Sequence, residues 1–245
     1  MRLAALGWTR TLHVRGTLSE APAVAIVGAR AASRLGMDRA HAAARHLADR
    51  GARVVSGGAL GIDGAAHRGA LASTTVVLGS GVDVAYPVRH AGLFDQILAS
   101  GGALASLLPD GTQPRPGTFP QRNPLIAALA DVVVVVEAQL NSGSLSTARA
   151  ARELGRPVVA YPGSPGCERL LGTGAAIAEE PDDVLSALAG APRMPRPHAH
   201  ELDSELARVR QAAASGARGV DALVEATGLP VRAVLRALPL IERYS

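Results

Sequence analysis

The sequence predicts an α/β fold: a mostly parallel, doubly wound sheet with helices on both faces, followed by a small all-α module. Three observations predict it. Short, continuous apolar runs rich in β-branched residues recur along the chain, helix-patterned segments separate them, and glycine-rich turns follow the runs. Strands that are hydrophobic throughout are buried on both faces, which is the condition of a parallel sheet covered by its own crossover helices.

Residues 1–22 form a weakly patterned N-terminal arm. The sheet domain spans 23–190 and opens with Val24-Ala25-Ile26-Val27, followed by a polar-faced helical pattern from Ser33 to Arg50. Arg53-Val54-Val55-Ser56 is the second strand, residues 60–71 a helix, and Thr75-Val76-Val77-Leu78 the third strand. Gly102-Ala103-Leu104-Ala105 is a weaker fourth. Residues 131–137, with five consecutive valines, are the clearest strand, and a helix follows from Ser144 to Leu154. Val158-Val159-Ala160-Tyr161 closes the series. Right-handed crossovers place the C-terminal ends of these parallel strands along one edge. A linker, 191–200, carries three prolines within 191–198. Residues 201–245 read as one helix and then a helix-turn-helix around Gly228-Leu229-Pro230, with the look of a truncated winged helix.

The composition narrows the function classes. Hydrophobic residues make up 48% and aromatics 2%, so the core is aliphatic. No stretch reaches the roughly 20 apolar residues of a membrane span, and residues 1–6 lack a signal-peptide core. A lone Cys167 has no disulfide partner and no thiol cluster for a metal. A reducing, cytoplasmic setting without membrane contact is expected. The net charge is +4, and every basic residue is arginine. A lysine-free, Ala- and Gly-rich chain points first to genome base composition; the sign of the charge adds weak support for a polyanionic partner.

Glycine-rich segments end the strands: Gly28-Ala29-Arg30, Ser56-Gly57-Gly58-Ala59-Leu60-Gly61, Gly79-Ser80-Gly81 and, opening a helix, Asn141-Ser142-Gly143-Ser144. Ligands of open α/β sheets bind beyond the strands' C-terminal ends, where helix N-termini attract anions. Gly28 and Gly58 are therefore candidates for an anion-binding floor, although glycines also make ordinary βα turns. Neither the dinucleotide fingerprint G-x-G-x-x-G nor a P-loop is present, since the latter needs a lysine. No cofactor is expected.

Arg115, Phe119, Arg122 and Asn123 form the other informative stretch. Cations track a nucleic-acid backbone and an aromatic face stacks an unpaired base. Two readings stand for Phe119: a base contact in a Pro-rich loop, or a plug that seats the following helix. Asp63 and His67 share a helix face four residues apart. The reading preferred is a dipole-favoured Asp with a packed His, not an acid–base pair, and no catalytic or metal constellation is visible.

Taken in order, several segments resemble the DprA/Smf family: His13-Val14-Arg15-Gly16, residues 24–30, residues 56–63 with Ala66-His67-Arg68, residues 78–87, Phe119-Pro120-Gln121-Arg122-Asn123, Glu137-Ala138 with residues 142–148, and Pro162-Gly163. The ordered set covers residues 13 to about 176 and is more specific than any one motif. The resemblance implies an extended Rossmann-like domain that binds single-stranded DNA, forms a homodimer and helps load a RecA-type recombinase during natural transformation, without catalysis. By motif, Arg30 is the strand-contacting arginine, with Arg115, Phe119, Arg122, Asn123 and Ser142-Gly143-Ser144 as further phosphate or base contacts. The chain departs from the family at Ala29, for a usual Ser; at Pro124, for a basic residue; and at Glu168, for Asn.

Two competing readings remain. A nucleotide phosphoribohydrolase of the lysine-decarboxylase-like (LOG) type shares this kind of sheet, but Pro162-Gly163-Ser164-Pro165-Gly166 does not supply its Pro-Gly-Gly-x-Gly-Thr-x-x-Glu motif. A small regulator would instead read duplex DNA with the C-terminal helix-turn-helix.

Overall fold

The computed structural model describes Leu3 and residues 8–195 and 199–242. Contacts divide the chain into two compact units, Met1–Pro195 and Arg196–Ser245.

The first unit is an eight-stranded sheet in the order β1-β5-β4-β3-β2-β6-β7-β8. The strands are β1 (His13–Gly16), β2 (Ala23–Val27), β3 (Arg53–Ser56), β4 (Thr74–Leu78), β5 (Ala103–Ser106), β6 (Val132–Val135), β7 (Val158–Ala160) and β8 (Ala176–Ile177). All pairs are parallel except β1 with β5. Helices α1 (Arg34–Ala48), α2 (Ile62–Gly69), α3 (Ala91–Ala99), α4 (Thr118–Ala128), α5 (Gly143–Glu153), α6 (Pro165–Gly172) and α7 (Pro181–Leu188) connect or flank the strands.

Strand alternation builds the two halves of the core. Ala25, Val27, Val133 and Val135 face one layer, against Leu125, Ile126, Ala148 and Leu170 of α4, α5 and α6. Val24, Ile26, Val132 and Val134 face the other, against Ala40, Ala44, Leu47 and Ile62 of α1 and α2. Every residue of β2, β3, β4, β5 and β6 is buried, the polar Arg53, Ser56, Thr74, Thr75 and Ser106 at strand ends included, as a sheet covered on both faces requires.

Regular elements stand at two places where the sequence reading had an arm and a loop. The N-terminal arm contributes β1, an antiparallel edge strand in which His13 pairs with Ser106 and Gly16 with Ala103. Its exposed burial pattern carries no apolar signal. The Pro-rich stretch expected as a loop is instead the first half of α4, with Pro124 inside the helix. Pro120 sits in the first turn, where backbone N–H groups have no intrahelical acceptor in any case, so it costs no hydrogen bond there.

The second unit contains α8 (Ala199–Ala214), α9 (Val220–Thr227) and α10 (Val231–Glu242) around Val209, Leu223, Leu229, Val234 and Ala237. Gly228, left-handed at φ 65°, ends α9 and turns the chain toward α10. Residues 196–198 of the expected linker lie outside the described residues.

Candidate nucleic-acid interface

From β2 the chain steps outward to β3, β4 and β5, then returns to place β6 on the other side of β2. Strand order therefore reverses between β2 and β6, and a crevice opens beyond the strand ends at such a point. A cleft of about 490 Å³ lies there. Its walls come from four connections: Gly28 and Arg30 after β2, Ala59 and Asp63 after β3, Tyr86 after β4, and Ser142, Gly143 and Ser144 after β6. The start of α4 adds Phe119, Pro120 and Asn123.

The β2 and β6 ends are stitched together by Glu137. Its carbonyl accepts from Ala29 N at 2.8 Å, and its carboxylate accepts from Ser33 N at 3.0 Å and Ser33 Oγ at 2.6 Å. Ser33 in turn caps α1 by accepting from Gly36 N at 3.0 Å. Gly28 is required by space: a β-carbon there would lie 2.6 Å from Ile62 Cγ1 and 2.9 Å from the Glu137 carbonyl oxygen.

Ser142 caps α5, accepting from Ser144 N at 3.3 Å, and its hydroxyl also meets Ser144 Oγ at 2.7 Å. Asn123 donates to Ser146 Oγ at 2.6 Å and to the Gly143 carbonyl at 3.3 Å, which fixes α4 against the first turn of α5. This turn presents the positive end of a helix to the cleft.

Arg30 is exposed at the cleft mouth, its guanidinium carbon 5.4 Å from the centre of the Phe119 ring. Tyr86 meets the same ring, centroids 5.2 Å apart and planes tilted by 35°. Tyr86 was not among the sequence candidates, although an aromatic in a chain holding so few of them was a signal available to read.

Three candidates are placed elsewhere. Arg122 was expected beside a nucleic-acid backbone; instead it is buried and donates to the carbonyls of Gly57 and Val77, at the ends of β3 and β4. Burial lowers its pKa to about 10, opposed by the negative charge of Asp63. Gly58, expected in an anion-binding floor, is buried and does not line the cleft. It has φ +71°, a β-carbon would stand 2.7 Å from Val76, and its carbonyl pairs with His90 Nδ1 at 2.9 Å. Arg115 is exposed but lies outside the cleft lining, on the turn before α4.

Asp63 is buried in the cleft wall, and one of its oxygens accepts from Ala59 N at 3.2 Å. Burial raises its pKa, against the lowering influence of Arg122. His67 is fully buried with Nδ1 2.8 Å from Thr74 Oγ1. Glu168, a departure from the family pattern, accepts from Gly163 N at 2.7 Å. Among the described residues no group of three or more His, Cys, Asp or Glu side chains could hold a metal, and no helix is long and apolar enough to cross a membrane.

The family model for DNA recombination-mediator protein A matches residues 8–189, and that for the DprA winged helix domain matches 191–242. The chain belongs to this family. A DprA relative from Mycobacterium tuberculosis is 41% identical over 236 residues, which is 90% of this chain and 60% of that one. Protein Smf of Escherichia coli is 42% identical over 197 residues, 76% of this chain and 53% of its own. The chain thus spans less than two thirds of these DprA/Smf relatives. DNA processing protein A of Helicobacter pylori, whose structure was described for its single-stranded DNA binding mode, superposes with a TM-score of 0.68 at 33% identity, covering 73% of this chain and 86% of that one.

Proposed function

We propose that this chain binds single-stranded DNA in the cleft between the β2 and β6 ends and serves as a non-enzymatic mediator that loads a RecA-type recombinase, in the cytoplasm, as a homodimer, during natural transformation. The observation that carries the reading is the pairing of an exposed Arg30 with the α5 N-terminus across one cleft whose mouth is lined by two aromatic rings. The cation and the helix end attract phosphate, and the rings offer apolar surface to a base. A cleft of this volume takes a nucleotide whose base is unpaired, which favours a single strand over a duplex. Gly28, Arg30, Phe119, Asn123, Ser142, Gly143 and Ser144 are its proposed contacts, with Arg115 meeting the strand as it leaves. The mediator role rests on membership of the DNA recombination-mediator protein A family, and the choice of ligand is supported by the single-stranded DNA binding mode described for the Helicobacter pylori relative.

The test is titration of labelled oligo-dT at low salt, with excess duplex as competitor. Binding that survives the duplex is expected. Absence of binding at low salt would remove the proposal.

A further inference from the structure

We infer that Tyr86, not Phe119, is the ring on which the base in the cleft stacks, and that Phe119 is its backing; the inference rests on the single-stranded-DNA reading. A stacking platform needs an open aromatic face held in place before the ligand arrives. Phe119 is half-buried and surrounded by neighbours. The Arg30 guanidinium lies over its ring at 5.4 Å, Tyr86 meets it at 5.2 Å, and the Gly79 backbone lies so close that a β-carbon there would come within 2.9 Å of the ring. Tyr86 lines the same cleft and is 41% exposed.

The chain around Tyr86 is pinned on both sides. Before it, Ser80 Oγ donates to the Val84 carbonyl at 2.7 Å, and the Asp83 carboxylate accepts from Gly111 N at 2.8 and 2.9 Å. After it, His90 N donates to the Pro87 carbonyl at 2.8 Å, and the buried His90 ring meets the Gly58 carbonyl at 2.9 Å. The ring is thereby presented with little backbone freedom left to lose. Phe119 supports it from behind, and Arg30, over the Phe119 ring and in the same cleft lining, is placed to meet the phosphate of a base stacked on Tyr86. The competing view is that Tyr86 merely covers Phe119 from solvent.

The experiment compares oligo-dT with an abasic deoxyribose-phosphate strand of equal length, on the full chain. The unaltered protein should prefer oligo-dT by about tenfold, the increment of one stacked base. In Tyr86→Ala that preference should collapse toward one, and Tyr86→Phe should restore it. A preference that persists in Tyr86→Ala overturns this inference while leaving the DNA reading intact. Failure of the unaltered protein to bind either strand overturns both. Should Tyr86→Ala fail to fold, photo-crosslinking of the unaltered protein to 5-iodouracil-substituted strands decides: the adduct is expected on Tyr86, and a strand attached to Phe119 without Tyr86 overturns the inference.

Discussion

Arg122 occupies the space that any side chain at Gly57 would need: a β-carbon on Gly57 would fall inside the guanidinium. The same guanidinium donates to the carbonyls of Gly57 and Val77. A cation thus ties together the ends of two adjacent parallel strands under the cleft, where it also faces the buried Asp63. It acts as a strut beneath the two strand ends.

Removing that strut should cost stability, whereas removing the exposed cation should cost binding. Arg122→Met leaves two carbonyls without their donor and Asp63 without its compensating charge, for an expected loss of about 3 kcal/mol. Arg30→Ala should change stability by less than about 0.5 kcal/mol. Urea unfolding of the two variants measures the contrast, and equal losses would contradict it.

Gly28→Ala should lower stability by about 1–3 kcal/mol, because the added methyl meets the Glu137 backbone carbonyl as well as Ile62. Thermal unfolding reads the effect. An unchanged midpoint would mean that the β2 and β6 ends can separate freely.

Ser142→Ala removes the α5 cap and should cost about 1 kcal/mol. It should also weaken oligo-dT binding, since the same turn faces the cleft. Loss of stability with full retention of binding would separate the cap from the site.

His67 gives a pH signature. Burial, with the positive charges of His90, Arg122 and Arg68, pushes its pKa down to about 3 from an ordinary 6.5. The folded state therefore holds the neutral ring while the unfolded chain takes up a proton. The stability is complete above about pH 6.5 and is lost as pH falls toward about 3, by at most about 1.4 kcal/mol per pH unit. Asp63 acts oppositely: its raised pKa makes stability fall as pH rises through the carboxylate range. Comparison of His67→Asn with the unaltered chain isolates the histidine, and parallel stability profiles between pH 7 and 5 would refute the assignment.

The sheet was legible because β2 and β6 are apolar along their whole length and β3 to β5 hold apolar centres, so burial on both faces is written directly in Val24-Ala25-Ile26-Val27 and in the valines of β6. The edge strand β1 was not, because its residues are mostly exposed and its pairing with β5 is made by backbone groups that leave no side-chain pattern. The helix α4 was hidden by prolines, one harmless in the first turn and one that tertiary packing of Leu125 and Ile126 overrides. Within the site, strand-end positions such as Gly28 and Ser142 follow from topology alone. Sequence gives no depth, however. Arg30 and Arg122 are the same residue type in similar polar stretches, and only the fold turns one outward and the other into the sheet.

The most direct measurement is the salt dependence of oligo-dT affinity for the unaltered protein and for Arg30→Ala. If Arg30 meets a phosphate, the variant binds more weakly and its log–log salt slope is shallower by about 0.7, the share of one contact on a single strand. A variant with the same affinity and the same slope would place the DNA somewhere other than this cleft.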